Sequence, residues 1–169
     1  MKSVLLKLLI FTSLLLGAGN ASAQQYCTSG ATSTADSKID SVIVAGIVSG
    51  SSASNCETYT DNTALSGTVI QGSSYDIRVV SGTCLGTYTR MFKIFVDWNN
   101  DGTFDQAIDS IATLGPTTTL VASEAFTHNF TVPFGITLGA KRLRVVMRET
   151  SDPNSFTSCG TFTWGETED

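Results

Sequence analysis

Residues 90–105 read RMFKIFVDWNNDGTFD, an alternating apolar segment that runs directly into a polar turn. A period of two is typical of a β-strand, in which neighbouring side chains point to opposite faces of the sheet. One face of the predicted strand would carry Phe92, Ile94, Val96 and Trp98, opposite Met91, Lys93, Phe95 and Asp97. The segment therefore predicts a β-strand followed by a loop, and the rest of the chain repeats that plan.

Four further segments have the composition and apolar alternation of β-strands, namely 39–47, 74–80, 126–132 and 142–148. In the first of them the alternation breaks near residues 42–44, which predicts a β-bulge. Loops rich in Gly, Ser and Asn separate the segments, and no long segment has the apolar period of a helix. The pattern predicts an all-β chain folded as an antiparallel β-sandwich of the jelly-roll or immunoglobulin-like type.

The amino terminus has the features of a cleaved signal peptide. Lys2 and Lys7 precede an apolar run at residues 8–16, and Ala21-Ser22-Ala23 has the small-residue pattern at which signal peptidase cleaves. The run is too short to cross a bilayer, which takes about 20 residues, and an uncleaved anchor is the alternative. We expect residues 1–23 to be removed and residues 24–169 to form one secreted or cell-surface domain, with no membrane insertion after cleavage.

The composition argues against one class of partner. The 169-residue chain has a formal net charge of −5, and removal of two lysines with the signal peptide leaves 146 residues with a charge of −7. A protein that binds nucleic acid draws much of its affinity from Lys and Arg side chains that neutralise phosphates. We therefore expect no nucleic-acid partner.

Four cysteines, all within residues 24–169, predict two disulfide bonds in an exported chain. Three pairings are possible. We favour Cys27–Cys159, which ties the ends of the domain together, and Cys56–Cys84, which closes an internal segment. A structural zinc site is the competing interpretation, but such a site uses closely spaced C-x-x-C or C-x-x-H pairs, and the sequence has none.

Residues 97–105 have the spacing of a calcium-binding loop of the EF-hand type, D-x-N-x-D-G-x-x-D. Alternate positions can direct oxygen atoms to one point, and Gly102 permits the sharp turn. Position twelve is Ile108 where an EF-hand has Glu, so Asp109 closes the coordination only if the loop is one residue longer. The predicted ligands of a structural Ca²⁺ are Asp97, Asn99, Asp101, the carbonyl of Thr103, Asp105 and Asp109. The alternative is a polar turn whose Asn and Asp side chains bond only to their own backbone.

The supply of reactive side chains argues against an enzyme. The only histidine, His128, alternates with Phe126 and Phe130 in a predicted strand, so it is expected to be a structural residue and not a general base. Zinc hydrolysis would need a second histidine or paired thiolates. Carboxylates could support glycoside hydrolysis, but nothing in the sequence brings two of them together.

Five short motifs, in order along the chain, resemble the GEVED domain family. They are Tyr26-Cys27-Thr28-Ser29, Tyr59-Thr60-Asp61, residues 96–105, residues 142–148, and the tail Cys159-Gly160 followed by Trp164-Gly165-Glu166-Thr167-Glu168-Asp169, where Thr167 replaces the Val of the family name. The resemblance extends over residues 26–169. It implies a β-sandwich module of secreted or surface-attached bacterial proteins, found beside metalloprotease or adhesin-like domains.

The resemblance has implications for individual residues. In the family an acidic residue stands at the place of Asp109, which supports Asp109 as the closing ligand. The family's Tyr-Cys and Cys-Gly motifs fall on Cys27 and Cys159, in keeping with the favoured pairing. The family motif continues into a Tyr and a last strand, whereas this chain stops at Asp169. The resemblance thus implies a domain truncated at its last strand and further domains of a longer protein.

These observations lead us to expect a calcium-stabilised accessory module with no catalysis of its own and a role in binding or adhesion to a glycan or protein ligand. The alternative is a passive spacer beside a catalytic domain, such as a metalloprotease, that lies beyond this chain. Candidate aromatic contacts are Trp98, Trp164 and Tyr88, although Trp98 fits the inward face of its strand.

The arginine stripe of Arg142, Arg144 and Arg148 is expected to form cross-strand pairs with acidic neighbours on an exposed sheet face. The acidic tail leaves two possibilities open. Glu166, Glu168 and Asp169 either reach the metal or pair with these arginines.

Overall fold

The computed structural model describes residues 24–50, 56–117 and 121–169, so the predicted signal peptide lies outside the described residues. The strands are β1 (Ser29–Ala31), β2 (Ser37–Val44), β3 (Ile47–Ser49), β4 (Tyr59–Thr60), β5 (Ser74–Thr83), β6 (Arg90–Val96), β7 (Ser110–Leu114), β8 (Glu124–Thr131), β9 (Leu143–Glu149), β10 (Gly160–Phe162) and β11 (Gly165–Glu168). A single 3₁₀ turn, Pro153–Ser155, is the only helical element of the described ranges. None of the helical structure in those ranges is long and apolar enough to cross a bilayer.

Two larger sheets pack face to face. One has five strands in the order β4-β11-β9-β6-β7, and the other has four in the order β3-β2-β5-β8. Most neighbours run antiparallel, but β4 pairs with β11 in parallel, and β1 pairs with β10 in parallel as a separate small sheet. The predicted all-β sandwich is therefore confirmed, with two parallel pairs that the sequence did not predict. Its assignment to the jelly-roll or immunoglobulin-like type stays a prediction.

The main hydrophobic core lies between the two larger sheets. It takes alternate apolar residues of β6 and β5, with Phe92, Ile94, Ile77 and Val79 all wholly buried. Trp98 continues the face of β6 and packs against Phe130, with ring centroids 6.3 Å apart. Strand alternation thus identified the core-facing residues correctly, because one face of each of these strands is apolar.

A second core covers the opposite face of the five-stranded sheet. It contains Met91, Phe95 and Val146 from β6 and β9, closed over by Ala31, Phe104, Phe156 and Phe162. The small sheet supplies Ala31 and Phe162, the loop after β6 supplies Phe104, and Phe156 follows the 3₁₀ turn. The expectation that the arginine stripe lies on an exposed face is therefore wrong, since Arg144 is only 2% exposed.

A tight hairpin replaces the single strand predicted at residues 39–47. Strand β2 ends at Val44, which pairs with Ile47 across a two-residue turn. Both turn residues have positive φ, 48° at Ala45 and 87° at Gly46, as a type I′ turn requires. The irregularity in β2 falls between Ile39 and Ser41, so the bulge predicted near residues 42–44 is misplaced.

Two disulfides join the pairs that the sequence favoured. Cys27 bonds to Cys159 and Cys56 bonds to Cys84, with Cα–Cα distances of 5.6 Å and 5.9 Å. The first links the segment before β1 to the residue before β10, and the second links the residues just before β4 to the end of β5. The first closure therefore ties the two strands of the small sheet together, and the second joins the two larger sheets.

Candidate functional site

The predicted calcium loop begins where β6 ends, and its first carboxylate is buried. Asp97 is wholly buried, and its Oδ1 accepts a hydrogen bond from the Asp101 amide at 3.2 Å. Its Oδ2 accepts from the Gly102 amide at 3.0 Å and from the Tyr26 hydroxyl at 2.8 Å. Gly102 has a φ of 84°, a conformation that glycine adopts without steric cost. The buried carboxylate of Asp97 therefore stabilises the turn by accepting hydrogen bonds from its backbone amides.

The carboxylate at the other end of the loop is also wholly buried. Asp109 Oδ1 accepts from the Trp98 amide at 3.2 Å, and Oδ2 accepts from the Asp105 amide at 2.8 Å. Burial raises the pKa of Asp109 above its ordinary value, against the lowering effect of these amides. The negative charges of Asp97 and Asp101 raise it further. Asp109 thus lies within the electrostatic reach of the first carboxylate.

The middle of the loop faces solvent. Asn99 donates through Nδ2 to Asp101 Oδ2 at 2.8 Å, and Asp101 Oδ1 accepts from the Thr103 hydroxyl and amide, which holds the pKa of Asp101 below its ordinary value. Asp105 accepts from the Ala107 amide at 2.6 Å. The structure therefore brings Asp97 and Asp109 together at the buried side and leaves Asn99, Asp101 and Asp105 exposed.

The fit of this loop to a metal ion is partial. All predicted ligand atoms are oxygens, as Ca²⁺ prefers. In the described residues, however, no group of three or more His, Cys, Asp or Glu side chains is placed to hold one ion. A complete calcium shell would require the exposed Asn99 and Asp101 side chains to turn from each other toward the two buried carboxylates. The six-ligand set stays a prediction.

The segment before β1 covers the loop. The ring of Tyr26 lies 5.0 Å from that of Phe104, and the guanidinium of Arg142 lies 4.9 Å from the Tyr26 ring centroid. Burial and the hydrogen bond to Asp97 raise the pKa of Tyr26. Because Tyr26 precedes Cys27 directly, the loop is tied to the disulfide that joins the two ends of the described chain.

The arginine stripe meets the tail of the chain next to this segment. Arg144 forms an ion pair with Asp169, which also lies 3.6 Å from Arg142. Nε and Nη2 of Arg144 bond to Asp169, and its remaining nitrogen, Nη1, donates to the carbonyls of Cys27 and Ser158. Asp169 therefore pairs with the arginines, which is one of the two possibilities that the sequence left open for the acidic tail.

The other two acidic residues of the tail, Glu166 and Glu168, point to the face of the five-stranded sheet that meets the four-stranded sheet. Glu166 accepts from the Ile39 amide at 2.7 Å and from the Thr60 hydroxyl at 2.6 Å. Burial raises its pKa to about 7. Glu168 accepts through Oε2 from the Ser49 hydroxyl at 2.7 Å and from Asn62 Nδ2 at 3.2 Å, and burial raises its pKa as well. Both side chains therefore connect β11 of the five-stranded sheet to the four-stranded sheet, Glu166 through β2 and Glu168 through β3.

Sequence reasoning missed this pair of buried glutamates. The available signal was their spacing, because residues two apart in a strand point to the same face. A strand with Glu at both inward positions predicts two buried carboxylates that need partners. The partners themselves, Ile39, Ser49, Thr60 and Asn62, lie more than 100 residues away in sequence.

The acidic strand β11 and its neighbour β9 belong to the part of the chain that a known family shares. Residues 91–169 match the GEVED domain family. The GEVED match begins at the second residue of β6 and includes every strand from β7 to β11. It is shorter than the resemblance noted over residues 26–169, whose first two motifs lie outside it. No curated protein and no solved structure matches the chain.

The GEVED region does not form its sheets alone. Its strand β8 pairs with β5 and its strand β11 pairs with β4, both of which lie before residue 91. The GEVED match indicates an accessory module, and the two disulfides are consistent with a place outside the cytoplasm.

Proposed function

We propose that the chain is a secreted, non-catalytic binding module that Ca²⁺ stabilises through the loop 97–109. One observation carries the proposal: Asp97 and Asp109 are both wholly buried at the two ends of one loop. Two buried carboxylates repel one another, and a divalent cation between them would offset that repulsion. The pKa of Asp109, raised in part by the charge of Asp97, supports this reading.

The ion would have a structural role. Asp97 and Asp109 would hold it from the buried side, and Asn99, Asp101, Asp105 and the carbonyl of Thr103 would close over it from solvent. When bound, Ca²⁺ would neutralise the carboxylates and fix the loop. The N–H groups that already bond to Asp97 and Asp109 keep these side chains in place for it.

Two observations support a module without catalysis. His128 lies opposite Ile77 in the four-stranded sheet, whereas the loop carboxylates follow β6 of the five-stranded sheet. Glu166 has the raised pKa of a general acid, but it is wholly buried and both of its oxygens are already hydrogen-bonded, so it cannot meet a substrate. Binding or adhesion is the proposed role. A passive spacer is the alternative if the module recognises no ligand.

Thermal unfolding of residues 24–169 tests the calcium proposal. Extracellular calcium modules bind with dissociation constants of about 10⁻⁴–10⁻³ M, so Ca²⁺ at about 10 mM should add about 1.4–2.7 kcal/mol of stability. That corresponds to a rise of roughly 4–10 °C in the midpoint for a domain of this size. Mg²⁺ at the same concentration should have a smaller effect, because it demands a tighter octahedral shell.

The control variant is Asp76→Asn, which removes a carboxylate from the exposed face of β5. It should respond to Ca²⁺ like the wild-type chain. A wild-type midpoint that does not move between excess chelator and excess Ca²⁺ would refute the calcium part of the proposal.

A further inference from the structure

An apolar cavity of about 380 Å³ opens at the end of the sandwich where β6 runs into the proposed calcium loop. Its exposed rim comes from the loop before β5 and the loop before β9, through residues such as Val69 and Gly139. Its floor consists of four side chains of the main core, Val44, Val96, Trp98 and Phe130. The volume is in the range of pockets that hold small molecules.

The cavity opens the main core to solvent. The four side chains of its floor are 6–9% exposed, whereas Phe92 and Ile94, farther along β6, are wholly buried. Apolar side chains that meet water are less stable than apolar side chains that meet hydrocarbon. A ligand whose methylene groups replace the water in this cavity would therefore be stabilised, by about the transfer free energy of each buried group.

One charged residue, Lys141, lines the cavity, and no Asp or Glu of the described residues does so. The ammonium of Lys141 donates to the Thr137 hydroxyl at 2.9 Å, and within the described ranges it forms no ion pair. Lys141 also borders the neighbouring cleft along β11, where the side chains of Glu168 and Asp169 are buried and already hydrogen-bonded. The charge at the cavity thus favours an anionic head group over a cationic one.

The two loops that form the rim are uncharged and partly apolar. Residues 62–75 and 129–140 contain no Asp, Glu, Lys or Arg, and Phe134 and Leu138 are 82% and 91% exposed. The side chain of Gln71 ties the loops together, since it donates to a backbone carbonyl of the second loop at 2.7 Å and accepts from one of its amides at 2.9 Å. Exposed apolar surface of this kind is typical of a binding site.

We propose that this cavity binds the hydrocarbon chain of a free medium-chain carboxylate, with the carboxylate head group beside Lys141. The inference rests on the proposed role of the chain as a binding module, and it names a site and a ligand class for that role. It does not depend on the calcium ion, because none of the six predicted calcium ligands lines the cavity.

The first experiment follows the amide and indole resonances of isotope-labelled residues 24–169 by NMR, in excess chelator. The probes are hexanoate, heptanoate and octanoate, with octyltrimethylammonium as the cationic comparison. We expect saturable shifts at the amides of Val69 and Gly139 and at the Trp98 indole. The Trp164 indole is the internal control, because Trp164 bonds to Glu149, which lies about 20 Å along β9 from the cavity.

The length of the hydrocarbon chain should set the affinity. Each added methylene group should lower the dissociation constant about fourfold, the factor expected for a buried CH₂. A dissociation constant that does not change with chain length overturns the proposal. Shifts that do not saturate with octanoate overturn it as well, and so does an octyltrimethylammonium affinity equal to that of octanoate.

The second experiment tests the head group by comparing Lys141→Gln with the matched control Arg78→Gln, which removes an exposed cation from β5. The dissociation constant for octanoate should rise about two- to fivefold in Lys141→Gln, as expected for a solvent-exposed ion pair. It should stay unchanged in Arg78→Gln. Equal octanoate affinity in the two variants overturns the proposal.

A third variant separates the cavity from the apolar surface around it. Phe134 is exposed and does not line the cavity, so Phe134→Ser should keep the wild-type affinity for octanoate. A clear loss of affinity in Phe134→Ser, without shifts of the Trp98 indole in the wild-type chain, would place the ligand on the loop surface and overturn the proposal.

The carboxylate titration and the calcium melt have separate readouts. A chain whose midpoint rises with Ca²⁺ but which binds no carboxylate refutes the cavity site and leaves the calcium site standing. A chain that binds octanoate in excess chelator, with no calcium response, refutes only the metal.

Discussion

Asp169 accepts two hydrogen bonds from the guanidinium of Arg144, each 2.6 Å long, at a place where both side chains are only 2% exposed. The same guanidinium donates to the carbonyls of Cys27 and Ser158, which flank the Cys27–Cys159 disulfide. One buried side chain thus joins the segment before β1, the segment before β10 and the residue after β11. Nη1 bonds to backbone oxygens and Nε and Nη2 bond to the carboxylate, so every nitrogen of this buried cation has a partner.

Replacement of Arg144 by Met should destabilise the fold by about 3–5 kcal/mol, because it leaves Asp169 buried without its main partner. The control is Arg142→Met, which removes a more exposed cation at 3.6 Å from the same carboxylate and should cost about 1 kcal/mol or less. Urea unfolding followed by circular dichroism measures both. Equal losses in the two variants would show that Arg144 contributes no more than a surface pair.

The raised pKa of Glu166 predicts that its contribution to the free energy of unfolding falls as the pH rises. Its folded-state pKa of about 7 lies above the ordinary 4.5, so the folded chain binds the proton more tightly than the unfolded chain. The resulting stabilisation is fully present below about pH 4.5 and is lost as the pH rises through about 7, a span worth about 3 kcal/mol. Glutamine cannot titrate, and its amide can meet both the Ile39 amide and the Thr60 hydroxyl.

Glu166→Gln should therefore be more stable than the wild-type chain at pH 8, and the difference should shrink toward pH 4.5. Urea unfolding of both chains at several pH values gives this difference. The contributions of the other buried carboxylates largely cancel, because both chains contain them. Two parallel pH profiles would mean that Glu166 does not carry the shifted pKa.

The two disulfides should differ in their effect on stability. Cys27–Cys159 closes a sequence separation of 132 residues and Cys56–Cys84 one of 28. In the chain-entropy account these closures contribute about 5 and about 3.6 kcal/mol. Paired Cys→Ala variants, unfolded in urea, should show the larger loss for Cys27 and Cys159, because this disulfide also adjoins the backbone carbonyls that bind Arg144. A larger loss for the Cys56 and Cys84 variant would contradict this order.

The Asp101→Asn variant should separate calcium binding from the fold itself. Asp101 is exposed and bonds only within its own turn, so its replacement should leave the stability of the metal-free chain nearly unchanged. The calcium-induced rise of the midpoint should nevertheless become smaller, because one negative ligand is lost. Calorimetric titration with CaCl₂ gives the affinity directly, and an affinity equal to that of the wild-type chain would remove Asp101 from the ligand set.

The sequence was informative where the structure depends on local patterns. Alternation located β5, β6, β8 and β9 and their core-facing residues, because a strand with one apolar face is recognisable without its partners. The second core was not predicted, although Met91 and Phe95 are apolar on the outer face of β6. Alternation alone does not distinguish a face covered by another layer from one that meets solvent.

The site was predictable in its spacing and not in its long-range contacts. The interval from Asp97 to Asp109 is a local property, and it identified both buried carboxylates as candidates. The hydrogen bond from Tyr26 to Asp97 and the partners of Glu168 join residues far apart in the chain. Such contacts depend on the order of strands in the two sheets, which a single sequence does not specify.

Because β6 meets packed side chains on both faces, six of its seven residues are buried. A strand with one solvent face, such as β8, accepts changes at every second position. In a library of single substitutions, β6 would lack these tolerant alternate positions. Sequence drift in this domain would then concentrate in β8 and the loops, while β6 would stay nearly constant along its whole length.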